Sequence, residues 1–348
     1  MRIDIEERVL HFKQPAGTSR GVYTERKIWL VYAKDGDATG VGECAPLPKL
    51  SCDDIPDYGD VLRAKCDLLP SSPRGAAVAD FFETLRDYPS MLFGLETALA
   101  DLRSKQEGRN VLFDTPFARG EQGIPINGLV WMGSYDEMLQ RIEQKLKQGF
   151  RCIKLKIGAI DFDAELELLK RIRQRLGPRE VELRVDANGA FSFSEALYKL
   201  ELLSQYALHS IEQPIKAGQW SYMAELCRES PLPIALDEEL IGVNDPDQKR
   251  QLLNIIRPRY IILKPSLHGG MMGCREWIDT ARDMQIGTWM TSALESNIGL
   301  NAIAQLASVV YGENISMPQG LGTGQLFTDN IPMPLEIRKD SLWICKRS

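Results

Sequence analysis

Hydrophobic and polar positions follow two different patterns along the chain. In the first third, apolar and charged residues alternate, which predicts strands over 3–12 and 27–33. Residues 40–48 are typical of a strand that runs into a proline-broken loop. After residue 90, leucines recur at three- and four-residue spacing, as in a helix. The pattern therefore predicts an α+β unit of antiparallel strands and helices.

From about residue 122 the pattern becomes a repeat in which short apolar runs alternate with amphipathic stretches. The predicted strands are 124–130, 152–157, 181–185, 208–211, 234–236, 260–263 and 288–290. The predicted helices are 135–148, 162–176, 194–205, 219–228, 246–256, 272–284 and 298–309. Such strand–helix units predict a parallel sheet, either a doubly wound open sheet or a barrel.

Neither common phosphate-binding motif is present, since there is no GxGxxG after the first strand and no GxxxxGK[ST] anywhere. The glycine-rich segment 320–324 is not followed by the start of a helix, which a phosphate cradle needs. This segment is therefore predicted to be a tight loop.

Composition narrows the function classes. The hydrophobic fraction of 44% and the charged fraction of 26%, over 348 residues, are typical of a soluble protein with one large and one smaller domain. A net charge of −6 argues against a nucleic-acid partner. No apolar run approaches the roughly 18–20 residues of a membrane span. The N-terminus alternates like a strand, unlike a signal peptide. The seven scattered cysteines include no CxxC pair, which favours a reducing cytoplasm.

Charged residues lie at the C-terminal ends of successive predicted strands. In chain order they are Lys154, Lys156, Asp186, Glu212, Asp237 with Glu238, and Lys264. The intervals from Lys156 onward are 30, 26, 25 and 27 residues, each about one strand–helix unit. Because the carboxyl ends of parallel strands share one side, these side chains should meet at one mouth.

Asp186, Glu212 and Asp237 would repel one another by several kcal/mol at short range. A hard divalent cation neutralises such a set through oxygen ligands, which predicts a Mg²⁺ site that Mn²⁺ could also fill. Lys156 and Lys264 bracket this site. A lysine beside a dication and a second lysine should have a lowered pKa and can act as a base. A metal on a substrate carboxylate acidifies the adjacent C–H by stabilising the enediolate, so the pattern predicts proton abstraction α to a carboxylate.

The order of these motifs, KxK, DxN, E, DE and K, resembles the muconate-lactonizing subgroup of the enolase superfamily. The resemblance covers nearly the whole chain. It implies an α/β fold with a (β/α)7β TIM-like barrel over 122–324. An α+β capping domain would span 1–121 and be completed by 325–348, where 335–344 is typical of strand and turn.

The same resemblance implies roles for individual residues. Asp186, Glu212 and Asp237 would bind Mg²⁺, Lys156 would be the base, and Lys264 would lie across the substrate from it. Substrate contacts or supporting roles are implied for Lys154, Arg184, Asn188, Glu238, Ser292 and Arg20.

Within the subgroup, three phrases resemble the o-succinylbenzoate synthases of menaquinone biosynthesis: RVDANG at 184–189, KPSL at 264–267 and SALES at 292–296. Such an enzyme dehydrates 2-succinyl-6-hydroxy-2,4-cyclohexadiene-1-carboxylate, a small carboxylate. Lys156 would remove the α proton and could return it to the leaving hydroxyl on the same face. Lys264 would act as a cation, with Glu238 as its charge partner.

The alternatives are two other enzyme classes and a non-enzymatic relative, and two further groups of the superfamily are disfavoured. An N-acylamino acid racemase or a cycloisomerase could use the same residues. A non-enzymatic relative should have lost a lysine or a ligand, and none is lost here. Dipeptide epimerases are disfavoured because their Asp-x-Asp after the last barrel strand is absent from 320–325. Mandelate racemase-like members are disfavoured because the strand ending at 290–293 carries no histidine. Gln213, where a second acid is common, is a minor departure.

Several residues are predicted from their local context. Arg20 and Tyr23 lie in a segment that folds over the mouth in the resembling family, so a substrate contact is expected there. Arg26 and Lys27 are expected to be solvated, and His268 to be structural. The oligomeric state stays open.

Overall fold

The computed structural model describes residues 1–18, 21–70 and 75–345. The first part is an antiparallel sheet in the order β1-β2-β3 with three helices beside it. The strands are β1 (Arg2–Thr18), β2 (Gly21–Asp35) and β3 (Ala38–Cys44). The helices are α1 (Tyr58–Asp67), α2 (Ala76–Glu83) and α3 (Pro89–Gln106). We call these strands and helices the cap, and together they enclose a hydrophobic core of their own.

Helix α3 lies unusually close to strand β3, and glycines allow the approach. A Cβ atom added to Gly42 would lie 1.8 Å from the carbonyl oxygen of Gly94. A Cβ atom added to Gly94 would lie 2.3 Å from Sγ of Cys44. Both contacts are impossible for real atoms, so the packing of the cap requires glycine at these positions.

A seven-stranded parallel sheet follows, in the order β11-β10-β9-β8-β7-β6-β5. Its strands are β5 (Gly128–Val130), β6 (Cys152–Lys156), β7 (Glu182–Asp186), β8 (Ser210–Glu212), β9 (Ile234–Leu236), β10 (Tyr260–Leu263) and β11 (Gly287–Met290). Its helices are α4 (Tyr135–Lys147), α5 (Phe162–Arg175), α6 (Phe193–Ser204), α7 (Trp220–Glu229), α8 (Pro246–Ile256), α9 (Gly270–Asp283) and α10 (Asn297–Val310). The sequence pattern is confirmed for every one of these helices.

Short polar motifs explain where some of these helices begin. Ser134 forms a capping box with Glu137 at the start of α4. Asp161 and Asp245 accept hydrogen bonds from backbone N–H groups in the first turns of α5 and α8. Each of these capping residues lies directly before its helix, which is why the sequence alone predicts where the helix begins.

Residues 319 and 320 close the sheet into a barrel. The backbone N–H of Gly320 donates to the carbonyl of Met290 after β11, and that of Gln319 donates to the carbonyl of Pro125, each at 2.8 Å. Bridges pair Thr291 with Gly320 and Ile126 with Gln319. Gln319 and Gly320 therefore occupy the eighth strand position, and the expected barrel is confirmed over the open sheet. The rest of the glycine-rich segment continues into a 3₁₀ turn at Thr323–Gln325.

The expected strand 124–130 is divided in two. β4 (Ile124–Pro125) pairs with the C-terminal hairpin β12 (Leu335–Arg338) and β13 (Ser341–Ile344), whereas β5 belongs to the barrel. Before the hairpin, Lys13 of β1 donates its N–H to the carbonyl of Leu326. The C-terminal segment after residue 325 thus contacts the cap through Leu326 and then pairs with β4 through β13. We propose that cap and barrel divide near residue 122.

A separate hydrophobic cluster joins the cap to the mouth of the barrel. It combines Ile28 and Leu30 of β2 with Leu47 of the following loop, and with Ala293 and Leu294 after β11. The cap therefore sits over the carboxyl ends of the barrel strands. Within the described ranges, no helix has the length and apolar character needed to cross a membrane.

Candidate active site

The register of the parallel sheet places the charged strand ends side by side. Lys156 of β6 is level with Asp186 of β7, and Asp186 is level with Glu212 of β8. Asp237 directly follows β9, and Lys264 directly follows β10. The five side chains predicted to meet are therefore brought to one mouth.

Asp186, Glu212 and Asp237 form a buried carboxylate cluster. Each is 0% exposed, and one carboxylate oxygen from each lies within 4.8 Å of the others. Oδ1 of Asp237 is buried without a hydrogen-bond partner among the described residues. A buried carboxylate oxygen of this kind needs a cation or a donor, and hard divalent cations prefer carboxylate oxygens. The donor set therefore fits a divalent metal.

Both lysines of the KxK motif reach this cluster. Nζ of Lys154 lies 2.7 and 2.9 Å from the carboxylate oxygens of Glu212 and 3.2 Å from Oδ2 of Asp186. Nζ of Lys156 donates to the same Oδ2 of Asp186 at 2.5 Å. Lys154 is thus tied to two carboxylates, whereas Lys156 contacts one of them from the end of its strand.

Asn188 fixes the ammonium group of Lys156 from a second direction. Its Oδ1 accepts a hydrogen bond from Nζ of Lys156 at 2.8 Å, and its Nδ2 donates to Oε1 of Glu238 at 2.9 Å. Its own N–H donates to Oδ1 of Asp186 at 3.0 Å. Its φ of 44° lies in the left-handed region, which asparagine tolerates better than most residues. Asn188 therefore connects β6, β7 and the residue after Asp237.

Lys264 binds the other side of the cluster. Its Nζ donates to Oδ2 of Asp237 at 2.5 Å. Lys264 follows β10, which stands four places from β6 in the sheet, so it reaches the cluster from the side opposite Lys156. Its backbone N–H donates to Nδ1 of His268 at 2.9 Å. Burial lowers the pKa of His268 to about 3, so the ring is neutral and acts as an acceptor for the loop.

Burial and neighbouring charges set the protonation of the cluster. Burial opposes ionisation of Asp186 and Asp237, but Lys156 holds the pKa of Asp186 below its usual range and Lys264 does so for Asp237. Burial raises the pKa of Glu212 to about 8 despite Lys154. Burial lowers the pKa of Lys264, but Asp237 raises it further. The carboxylates therefore favour the charged form of Lys264, opposite to the lowered lysine pKa expected from the sequence. A lowered pKa would need additional positive charge at the mouth, such as a bound dication.

Gln213 supports the segment that carries Asp237. Its Oε1 accepts the backbone N–H groups of Asp237 and Glu239, each at 3.2 Å. Its Nε2 donates to Oε2 of Glu239 at 2.9 Å. An amide both donates and accepts here, whereas a second acid at this position would place two carboxylates in contact.

A cavity at the mouth has a charged side and an apolar side. Lys154, Lys156, Lys264 and Asn188 line the charged side. The apolar side is lined by Leu47, Leu50, Leu129, Trp131, Ala293 and Leu294. Ser292 also lines the cavity, and its Oγ lies 2.5 Å from Oγ1 of Thr323. An anionic substrate with a carbon ring fits such a division.

One other residue chosen from the sequence, Arg184, lies elsewhere. Arg184 points toward the opposite end of the barrel, where its guanidinium lies 4.6 Å from the Trp289 ring and donates to the carbonyl of Pro318. It does not line the cavity at the mouth. Arg20 lies outside the described residues. Tyr23 is described, and its hydroxyl donates to the carbonyl of Pro48 at 3.0 Å.

Sequence reasoning missed the residues that cover the mouth. Leu47 and Leu50 come from the cap, and no local pattern shows which loop will face the barrel. Arg26 was expected to be solvated, which is wrong, because its side chain is 1% exposed. A signal was present, since Arg26 is in phase with the buried Ile28 and Leu30 along β2.

Comparison with known proteins gives consistent results. Residues 137–343 match the family described as enolase C-terminal domain-like. The chain is 47% identical to o-succinylbenzoate synthase of Desulfotalea psychrophila, over 97% of each protein. The crystal structure of MenC from Desulfotalea psychrophila LSv54 matches with a TM-score of 0.84 and 42% identity, over 99% of each chain. N-succinylamino acid racemase of Thermus thermophilus is 29% identical, over 86% of this chain and 80% of that protein.

Proposed function

The chain belongs to the enolase superfamily, and we propose that it acts as an o-succinylbenzoate synthase. This lyase dehydrates 2-succinyl-6-hydroxy-2,4-cyclohexadiene-1-carboxylate to o-succinylbenzoate in menaquinone biosynthesis. The observation that carries the proposal is the mouth itself, where three buried carboxylates lie between two lysines under a partly apolar cap. The similarity over the full length of the Desulfotalea protein supports the same reaction.

The proposed cofactor is Mg²⁺, with Mn²⁺ as a substitute. Asp186, Glu212 and Asp237 would hold it, because their oxygens converge and Oδ1 of Asp237 has no hydrogen-bond partner among the described residues. When bound, the cation supplies positive charge that makes a carboxylate's α proton more acidic by stabilising the enediolate.

Lys156 is the proposed base. In its neutral form its Nζ takes the α proton as the C–H bond breaks. As the hydroxyl leaves, the same ammonium returns that proton, so that water is released and the ring becomes aromatic. The hydrogen bonds to Asp186 and Asn188 fix the position of Nζ for both transfers.

Lys264 is proposed to contribute charge from the opposite side. Its contact with Asp237 keeps the ammonium at the mouth, where negative charge develops on the substrate carboxylate. Lys154 neutralises Glu212, and Glu238 holds Asn188, so both act through other residues. Ser292 is proposed as a neutral hydrogen-bonding contact at the apolar side.

The test is turnover of the purified cyclohexadiene substrate, followed by loss of its absorbance. Rapid loss with o-succinylbenzoate as product is expected. No turnover by the folded, Mg²⁺-loaded protein would overturn the proposal.

A second candidate is racemisation of N-succinylamino acids, which is supported by the similarity of the chain to the N-succinylamino acid racemase of Thermus thermophilus. Two lysines on opposite sides of the cluster could serve two antipodes. Exchange of the α proton in deuterium oxide measures this activity. We expect exchange to be slower than dehydration, and the reverse order would make racemisation the better assignment. A cycloisomerase would instead convert substrate without releasing water.

The proposed compartment is the cytoplasm. All seven cysteines are free, and disulfides are rare in that compartment. The proposed partner is the small carboxylate substrate, with no nucleic acid or membrane.

A further inference from the structure

Arg26 is a buried charge that lies outside the lysine–carboxylate cluster. Its side chain is 1% exposed, and it extends from β2 toward the junction of cap and barrel. Its Nη2 donates to the carbonyl of Ala45 at 2.6 Å, and its Nη1 donates to the carbonyl of Pro46. Across the junction, Nε donates to the carbonyl of Leu294 at 3.3 Å, with a weaker contact from Nη2 to Ala293 at 3.4 Å.

These carbonyls belong to two segments that wall the cavity. The cap loop, which we define as residues 45–50, contributes Leu47 and Leu50. The barrel loop, defined as residues 293–295, contributes Ala293 and Leu294. One planar guanidinium therefore holds both segments, and its rigid fork fixes their separation better than a flexible ammonium could.

The surrounding charges explain how the guanidinium is tolerated. Burial opposes the charge on Arg26, while Glu295 and Glu43 favour it. Glu295 accepts the N–H of Ala293 at 2.6 Å, and Glu43 accepts the N–H groups of Ser296 and Gly299 at 2.8 and 2.9 Å. One carboxyl group comes from the cap and one from the barrel, so the groups that favour the buried charge lie on both sides of the junction. Burial opposes all three charges, since it raises the pKa of Glu43 and Glu295 and lowers that of Arg26.

We propose that Arg26 is a positioning residue that sets the spacing of the cap loop and the barrel loop, and thereby the fit of the substrate against the apolar side of the cavity. The kinetic part of this inference rests on the proposed function. The structural part does not, because it concerns the two loops alone.

The main variant is Arg26→Lys, which keeps a cation but loses the fork. Under the proposal, KM for the cyclohexadiene carboxylate rises about tenfold or more while kcat stays within about threefold, the signature of lost binding without lost chemistry. The matched control is Lys27→Ala, since Lys27 is adjacent and pairs at the surface with Glu7 at 2.8 Å. The control should leave KM within about twofold.

Hydrogen–deuterium exchange tests the loops without any substrate. Peptides covering 45–50 and 293–295 should exchange faster in Arg26→Lys than in the wild type, whereas Lys27→Ala should exchange like the wild type.

Chemical rescue is a further test. In Arg26→Ala, added guanidinium ion should restore KM, whereas methylammonium should not. Unchanged exchange and KM, a loss confined to kcat, or failure of Arg26→Lys to fold would overturn the inference. An inactive wild type with loosened loops in Arg26→Lys would instead reject the proposed function and keep the positioning role.

Discussion

Lys264 donates a hydrogen bond of 2.5 Å from Nζ to Oδ2 of Asp237, which leaves Oδ1 of the same carboxylate without a partner among the described residues. Lys156 makes a contact of equal length with Asp186, on the other side of the cluster. Each lysine thus contacts a different carboxylate of the cluster. Replacing one lysine should leave the carboxylate contact of the other intact, which makes their roles separable.

Metal removal should abolish activity. We expect no turnover after exhaustive chelation, and recovery on adding Mg²⁺ or Mn²⁺, because without the cation the enediolate that forms on proton abstraction is not stabilised. Mg²⁺ should also raise the melting temperature by binding the folded state, and this shift should vanish in Asp237→Asn. Full activity after chelation, with no thermal shift in the wild type, would contradict the metal assignment.

Replacing each lysine by arginine should separate base from charge. Arginine keeps the cation but does not deprotonate. Lys156→Arg should lose about 10²–10⁴-fold in turnover, the range for loss of a general base. Lys264→Arg should keep measurable dehydration if the larger group fits beside Asp237. Single-turnover absorbance measurements would decide, and equal inactivity of two folded variants would favour two bases.

Asp53 should make the cap less stable as pH rises. Its carboxylate is 1% exposed and accepts hydrogen bonds from the N–H and hydroxyl of Ser90, yet burial raises its pKa to about 6. The folded state therefore binds more protons between about pH 4 and 6, and the free energy of unfolding falls across that window by up to about 3 kcal/mol.

Asp53→Asn removes this titration. Urea unfolding should show the variant gaining stability relative to the wild type from pH 4 to pH 6, with a constant difference above that. Because other buried acids titrate equally in both proteins, the difference between them isolates Asp53. Parallel curves across the window would show that Asp53 does not titrate there.

Gly42→Ala should destabilise the cap severely. The added Cβ would lie 1.8 Å from the Gly94 carbonyl and 2.8 Å from the Ala98 nitrogen, both in the backbone of α3. The helix must therefore move, at a cost of about 3 kcal/mol or more in unfolding free energy. Gly177→Ala is the control, since its Cβ would meet only the Glu180 side chain at 3.6 Å. Similar denaturation midpoints for the two variants would contradict the close approach.

How much the sequence determines depends on the distance over which each feature is specified. The barrel strands and helices were predicted well because their signals are local, as at Ser134 and Asp161. The meeting of Lys156, Asp186 and Glu212 was also predictable, because parallel strands one repeat apart must end on the same side. That geometry follows from chain direction and needs no knowledge of side-chain packing.

Other features depended on contacts between distant segments. The pairing of Lys264 with Asp237, the placement of Leu50 over the mouth and the burial of Arg26 each require the packing of whole elements. The split of 124–130 arose because β4 pairs with β13, more than two hundred residues away. Hydrophobic periodicity reports which face of an element is buried, but it carries no information about the partner that buries it.

The sequence by itself therefore determined the repeat, the order of the charged strand ends and the chemistry they suggest. Tertiary structure alone decided which lysine binds which carboxylate, which cap residues wall the cavity, and that Arg26 joins the two parts. The physical reason is that secondary structure and chain direction are fixed by neighbours along the chain. Side-chain distances within a site are fixed by close packing between segments that the sequence separates.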